Sequence, residues 1–207
     1  KITTSGGVYN LDPSGNFKQF VADEAATFQP PGPNTVSPAK GKFKWQTNCA
    51  HVREQSYDVL FKVEDLPGRF KTQLVDIKTI KININPQKPR GLTAEETESG
   101  VSLSWQAYPE CDRGGKILVY RKTGCSGLNP GICIQGMPAD WGYNLLGKVD
   151  LSDTTFLDII AEKGQIYSYR LVSEIGVSNF NAMKSSPSTE FCIGSELPKR
   201  TPVITHV

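Results

Sequence analysis

Two short apolar runs in the second half of the chain limit its possible folds more than any other feature. The first is Val101, Ser102, Leu103, Ser104 and Trp105, in which apolar and polar residues alternate without exception. A period of two places Val101, Leu103 and Trp105 on one face and the serines on the other, the pattern of a half-buried strand. The second, from Ile117 to Tyr120, is apolar throughout and suits a central strand. A polar stretch, residues 106–115, separates them. Two such strands, one from each sheet and with a tryptophan between them, predict a β-sandwich.

The remaining segments follow the same period. Phe43 and Trp45 alternate with lysines; Tyr57, Val59, Phe61 and Val63 alternate with mostly charged residues; Ile80, Ile82 and Ile84 alternate with Lys81, Asn83 and Asn85. Each is expected to form an antiparallel strand with one wet face. Weaker short strands are expected at residues 17–21 and 25–28. In the second half, further strands are expected at residues 142–149, 154–157, 165–173 and 188–193. No segment keeps a helical period over three turns, so the fold class is all-β: two antiparallel β-sandwiches in tandem. Pro86 and Pro89, in the polar stretch 85–91, mark an extended linker. The expected units are residues 1–85 and residues 86–197, the latter with a long Gly/Pro-rich insertion at 123–141. Residues 198–207 then begin a further module or tail.

A length of 207 residues accommodates two small sandwiches, and a net charge of +2 gives no argument for a nucleic-acid partner. No apolar run approaches the roughly 18–20 residues of a membrane span, so no membrane insertion is expected. The chain opens on Lys1 without an initiator methionine or signal peptide and reads as an internal piece of a longer protein, expected to be monomeric. Five cysteines without a Cys-x-x-Cys pair, and only two histidines, argue for disulfides in an exported protein rather than a metal site.

The second half resembles a fibronectin type III domain. Trp105 stands where the family has its second-strand tryptophan, Tyr120 where it has a third-strand tyrosine, and Tyr167, after Glu162, Lys163 and Gly164, where a corner tyrosine opens the sixth strand. Ser185, Ser186, Pro187 and Ser188 are similar to the family's Ser-x-Pro lead into the last strand. Ser168 departs from the pattern, which has cysteine there. The first half, with Phe43, Trp45 and residues 48–65, resembles an Ig-like module of the cadherin or PKD type. The pair together resembles modules in large Bacteroidetes surface proteins that carry a gliding-motility-associated, type IX sorting region. Residues 120–124 and 142–143, and a Pro-Val-Ile-Thr segment at 202–205, carry that likeness. The resemblance implies export and attachment at the cell surface.

Strand order in such a sandwich puts Cys125, just past the third strand, at the same pole as Cys192. A bridge between them leaves Cys133 to meet Cys111 and only Cys49 free. Proximity along the Gly/Pro-rich loop favours Cys125–Cys133 instead, and connectivity does not follow from sequence.

No reactive constellation stands out. Cys49 and His51 could form a thiol–base pair, but no surrounding signature supports it, and a loop histidine with an unpaired or bridged cysteine is the better reading. Ser104 lies in a strand without a nucleophile elbow. Glu95, Glu96 and Glu98 read as a solvated turn before Gly100. Glu64, Asp65, Asp153 and Asp158 lack the spacing of a calcium loop, and Asp112, Arg113 and Gly114 read as an ordinary turn. No catalytic residue, metal or cofactor is expected. Asp153, Thr154 and Thr155 match a short O-glycosylation acceptor of the resembled proteins. Trp141 and Tyr143, with Leu128 and Met137 nearby, are the candidate binding residues, since exposed aromatics can stack on sugars or anchor a protein. Burial of the same rings in a mini-core of the insertion is the competing reading. The functional expectation is a non-catalytic structural or adhesive module pair with a protein or glycan ligand at the cell surface. The alternative is a carbohydrate-binding accessory region of a secreted polysaccharide-degrading enzyme.

Overall fold

A computed structural model describes residues 1–9, 25–32, 38–65, 72–109, 111, 114–131, 134–162, 164–176 and 181–194. The strands expected at 17–21 and the Pro-Val-Ile-Thr segment at 202–205 lie outside the described residues, as do Cys133, Asp112 and Arg113. The chain divides into two compact units, Lys1–Ile84 and Asn85–Val207. Among the described residues the regular structure is β-strand, with two single 3-10 turns at Cys49–His51 and Ala139–Trp141.

The first unit contains β1 (Ile2–Gly6), β2 (Thr27–Gln29), β3 (Lys42–Lys44), β4 (Tyr57–Glu64) and β5 (Val75–Ile82). β1, β4 and β5 form one antiparallel sheet in that order, and β2 and β3 pair in a second. The small sheet packs through Phe28 and Phe43 edge-on against Phe61, at 5.9 and 6.2 Å between ring centroids. Val8, Ala26, Tyr57 and Val59 form the buried centre, with Trp45 and Ile82 packed against it. The alternation of Tyr57 and Val59 therefore marks the core face, as their spacing requires. β5 departs from the expectation. It begins at Val75, well before Ile80, and all its residues but Ile82 are exposed. Ile80 shares a face with Val59 but lies on the strand that is outermost among the described residues, beyond the aromatic packing.

The second unit contains β6 (Thr93–Thr97), β7 (Gly100–Ser104), β8 (Gly115–Thr123), β9 (Asn144–Asp150), β10 (Thr155–Asp158), β11 (Tyr167–Gly176), β12 (Ala182–Lys184) and β13 (Phe191–Ile193). One sheet runs β10-β7-β6; the other runs β12-β11-β8-β9, with β13 also paired to β11. All pairings are antiparallel, and the order is that of a fibronectin type III-like sandwich. Leu103, Val101 and Trp105 of the smaller sheet meet Ile117, Val119, Tyr169 and Leu171 of the larger one in a single core. The Trp105 indole N–H donates to the Asp153 carbonyl at 2.9 Å, so the ring is packed and its one polar group satisfied. Glu95 and Glu96 lie within β6 rather than in the turn. Only Glu98 and Ser99 separate β6 from β7, because Gly100, at φ +139° and pressed against the Asp158 carbonyl, already pairs with Thr97.

The Tyr167 hydroxyl accepts from the backbone N–H of Glu162, 3.3 Å away and five residues upstream, which ties the corner before β11. Tyr120 alternates out of the core, opposite Arg170, and is half-buried. The proline-marked stretch before β6 packs on the second unit: Pro86 and Pro89 are buried, and the Gln87 carbonyl accepts from the Ser173 hydroxyl at 2.8 Å.

Candidate functional site

Nearly every residue of β11 is buried, on both faces. Tyr167, Tyr169 and Leu171 enter the sandwich core, so Ser168, Arg170 and Val172 point to the outer face, which a two-sheet sandwich would leave wet. The insertion after β8 and the chain after β12 cover that face. Gly136 N–H donates to the Ser185 carbonyl at 2.8 Å. Ser185 and Ser188 then replace part of a regular last strand. Each backbone N–H donates to β11, at Ser173 and Leu171, and each hydroxyl accepts from the N–H of the same residue, at 3.0 and 2.9 Å. Serine can offer both a donor and an acceptor from one position, and this keeps the backbone of a buried strand satisfied where the ladder is broken.

At the centre of the covered face lies Arg170, fully buried. A buried guanidinium is costly unless all its N–H groups are met. Its Nη1 donates to the Ser188 carbonyl at 2.7 Å, its Nη2 to the Leu128 carbonyl, and its Nε to the Tyr143 hydroxyl at 3.2 Å. Its charge is opposed by the Glu190 carboxylate at 3.6 Å. The guanidinium carbon lies 5.2 Å from the centroid of Trp141 and 5.7 Å from that of Tyr143, within cation–π range.

Glu190 joins the insertion to the segment that leads into β13. Its carboxylate accepts from the Ser126 N–H (2.7 Å), the Ser126 hydroxyl (2.8 Å), the Gly127 N–H (2.7 Å) and the Tyr143 hydroxyl (2.7 Å). Burial by itself would raise its pKa; the donated hydrogen bonds, led by Tyr143 and Ser126, outweigh that and hold it at about 2. Beside this clamp Cys125 and Cys192 are bridged, with Cα atoms 5.9 Å apart. Cys125 follows β8 and Cys192 lies in β13, and both strands flank β11 at Ser168.

Trp141 and Tyr143 are therefore brought together, but by an internal cation. Tyr143 spends its hydroxyl on Glu190, Ser168 (3.0 Å) and Arg170. Trp141, in the 3-10 turn, is partly buried, as is Tyr143. Sequence reasoning singled out the two rings and missed Arg170 and Glu190. The charge of Arg170 inside an otherwise buried strand was the available signal.

The other candidates are separated from one another. Cys49 is disulfide-bonded, which corrects the expectation that it is free and removes the thiol such a nucleophile needs. Cys111 is also disulfide-bonded; the expected Cys111–Cys133 pairing involves a residue outside the described ones. His51 is buried, accepts from the Asn48 N–H through Nδ1 at 3.0 Å and meets Trp45 edge-on at 4.9 Å. Asp158 is buried against Arg121 (2.8 Å) and accepts from the Tyr169 hydroxyl (2.8 Å). Burial, reinforced by that carboxylate, pushes the Tyr169 phenol upward. Glu64 pairs with Lys62 (2.6 Å), Asp65 accepts from Leu74 N–H (2.8 Å) and Asp153 from Asp150 N–H (2.8 Å). Among the described residues no three His, Cys, Asp or Glu side chains gather as metal ligands do. The Ser104 hydroxyl lies 2.8 Å from that of Thr93.

The chain is thus all-β, an Ig-like sandwich unit followed by a fibronectin type III-like one. No protein-family model matches it, and no curated protein does. Among solved structures it is similar to domains A168–A170 from titin, at 17% identity and a TM-score of 0.35. That similarity covers 84% of this chain and 55% of the titin chain, so the chain spans about half the length of that structure.

Proposed function

We propose that the protein is a non-catalytic structural and adhesive module pair of a large exported cell-surface protein. The observation that carries this reading is the use made of the most reactive-looking groups. Arg170, Glu190, Tyr143 and Ser126 are consumed in fastening the insertion to the sheet, and Cys125 and Cys192 are bridged beside them. Bridged cysteines suit an oxidising compartment. The finer placement, in a Bacteroidetes surface protein of the gliding-motility-associated type, rests on the sequence resemblance. Protease shaving of intact cells tests the location: release of peptides from this region without lysis is expected, and complete protection would refute export to the surface.

The partly exposed ring of Trp141 favours one second reading, a glycan-binding accessory region. A glycan array with the intact chain and with Trp141→Ala separates the two. Sugar binding lost in the variant establishes the accessory region, and none with either protein supports the module pair.

A further inference from the structure

Exposed large apolar side chains gather along β5, on both of its faces. Val75, Ile77 and Ile80 are 49, 53 and 51% exposed, and Leu74, just before the strand, is 69% exposed. Among the described residues β5 pairs with β4 alone, so alternate residues of this eight-residue strand present backbone groups at a sheet edge. Such an edge is a template for another strand.

We propose that this edge is the interface between two copies of the chain, joined antiparallel through β5 about a two-fold axis at Ile77. This departs from the monomer expected above. A two-fold axis perpendicular to the sheet pairs residues of the same face and must pass through one residue position. Centred on Ile77, it sets Ile77 against its copy, Val75 against Thr79, Leu74 against Ile80, and Asp76 against Lys78 twice. Centring on Asp76 or Lys78 instead opposes like charges. Centring on Thr79 or Ile80 leaves Lys78 facing an isoleucine. The two charges are available for this exchange. Within β5 they lie 3.8 Å apart and well exposed, and their partners on β4 are Val63 and Phe61, which are uncharged. Lys81, the other cation of the strand, is already held by Asp58 at 3.0 Å. Cross-strand pairs of opposite charge and paired apolar residues are the units that stabilise a sheet.

Sedimentation of the intact chain over a concentration series tests this. A reversible dimer is expected. Asp76→Lys or Lys78→Asp alone, each creating two like-charge contacts, should weaken it about tenfold. The double swap, Asp76→Lys with Lys78→Asp, restores complementarity and should return the affinity to within about threefold of the original. Because the swap carries both substitutions, its recovery distinguishes lost pairing from misfolding, which circular dichroism checks directly. Ile77→Cys should give a covalent dimer on mild oxidation well above the unsubstituted chain, and Thr79→Cys should not. A chain monomeric at every concentration, or a dimer indifferent to both single reversals, overturns the proposal.

Discussion

Arg170 is the residue on which the outer face of the second unit depends. Arg170→Leu would leave the Glu190 carboxylate buried without its cation, and the carbonyls of Leu128 and Ser188 without their donor. Removing one partner of a buried pair costs about 3–5 kcal/mol, so urea unfolding should show the second unit destabilised by that order. The partner carboxylate gives a pH signature. Its folded pKa of about 2 lies below the ordinary value of a free glutamate. The stabilisation is therefore complete above about pH 4.3 and lost as pH falls towards the folded value. Thermal unfolding between about pH 4.5 and 2 should lose this dependence in Glu190→Gln. Trp105→Ala removes a core ring and its bond to Asp153; about 3–5 kcal/mol is expected from calorimetry, and an unchanged transition would exclude it from the core.

At the scale of the element, legibility followed the period. Val101, Leu103 and Trp105 declared their strand because alternation is a local property; the corner at Tyr167 came from the resemblance to fibronectin type III domains, and its hydroxyl does meet the Glu162 N–H five residues upstream. The clamp was hidden because its parts are distant: Ser126 and Glu190 are 64 residues apart, Tyr143 and Glu190 47. No spacing rule joins them. The bridging of Cys49 is likewise not legible, since connectivity does not follow from a count of cysteines. β5 alternates like a buried strand, but position in the sheet, not period, decides exposure, and no sequence pattern says which strand lies at an edge. Ser185 and Ser188 also give an element-scale prediction. Each Ser→Ala change strips the acceptor from a buried N–H on β11. About 1–3 kcal/mol of destabilisation is expected for each, and hydrogen exchange at Ser173 or Leu171 should quicken selectively.

At the scale of the whole molecule, the Cys125–Cys192 bridge bears on how the second unit responds to being pulled. The cystine closes a loop spanning 67 residues of sequence, which holds β9, β10, β11 and β12. Tension applied along the chain passes through the sulfur atoms and bypasses everything between them. Those residues would contribute roughly 220–240 Å of extended chain at about 3.3–3.6 Å each, but only after reduction. Single-molecule stretching should show the unfolding step of this unit lengthen by about that amount when a reductant is added. The second unit would therefore give up less length under load while its cysteines are oxidised than once they are reduced, when the segment between them pays out as well.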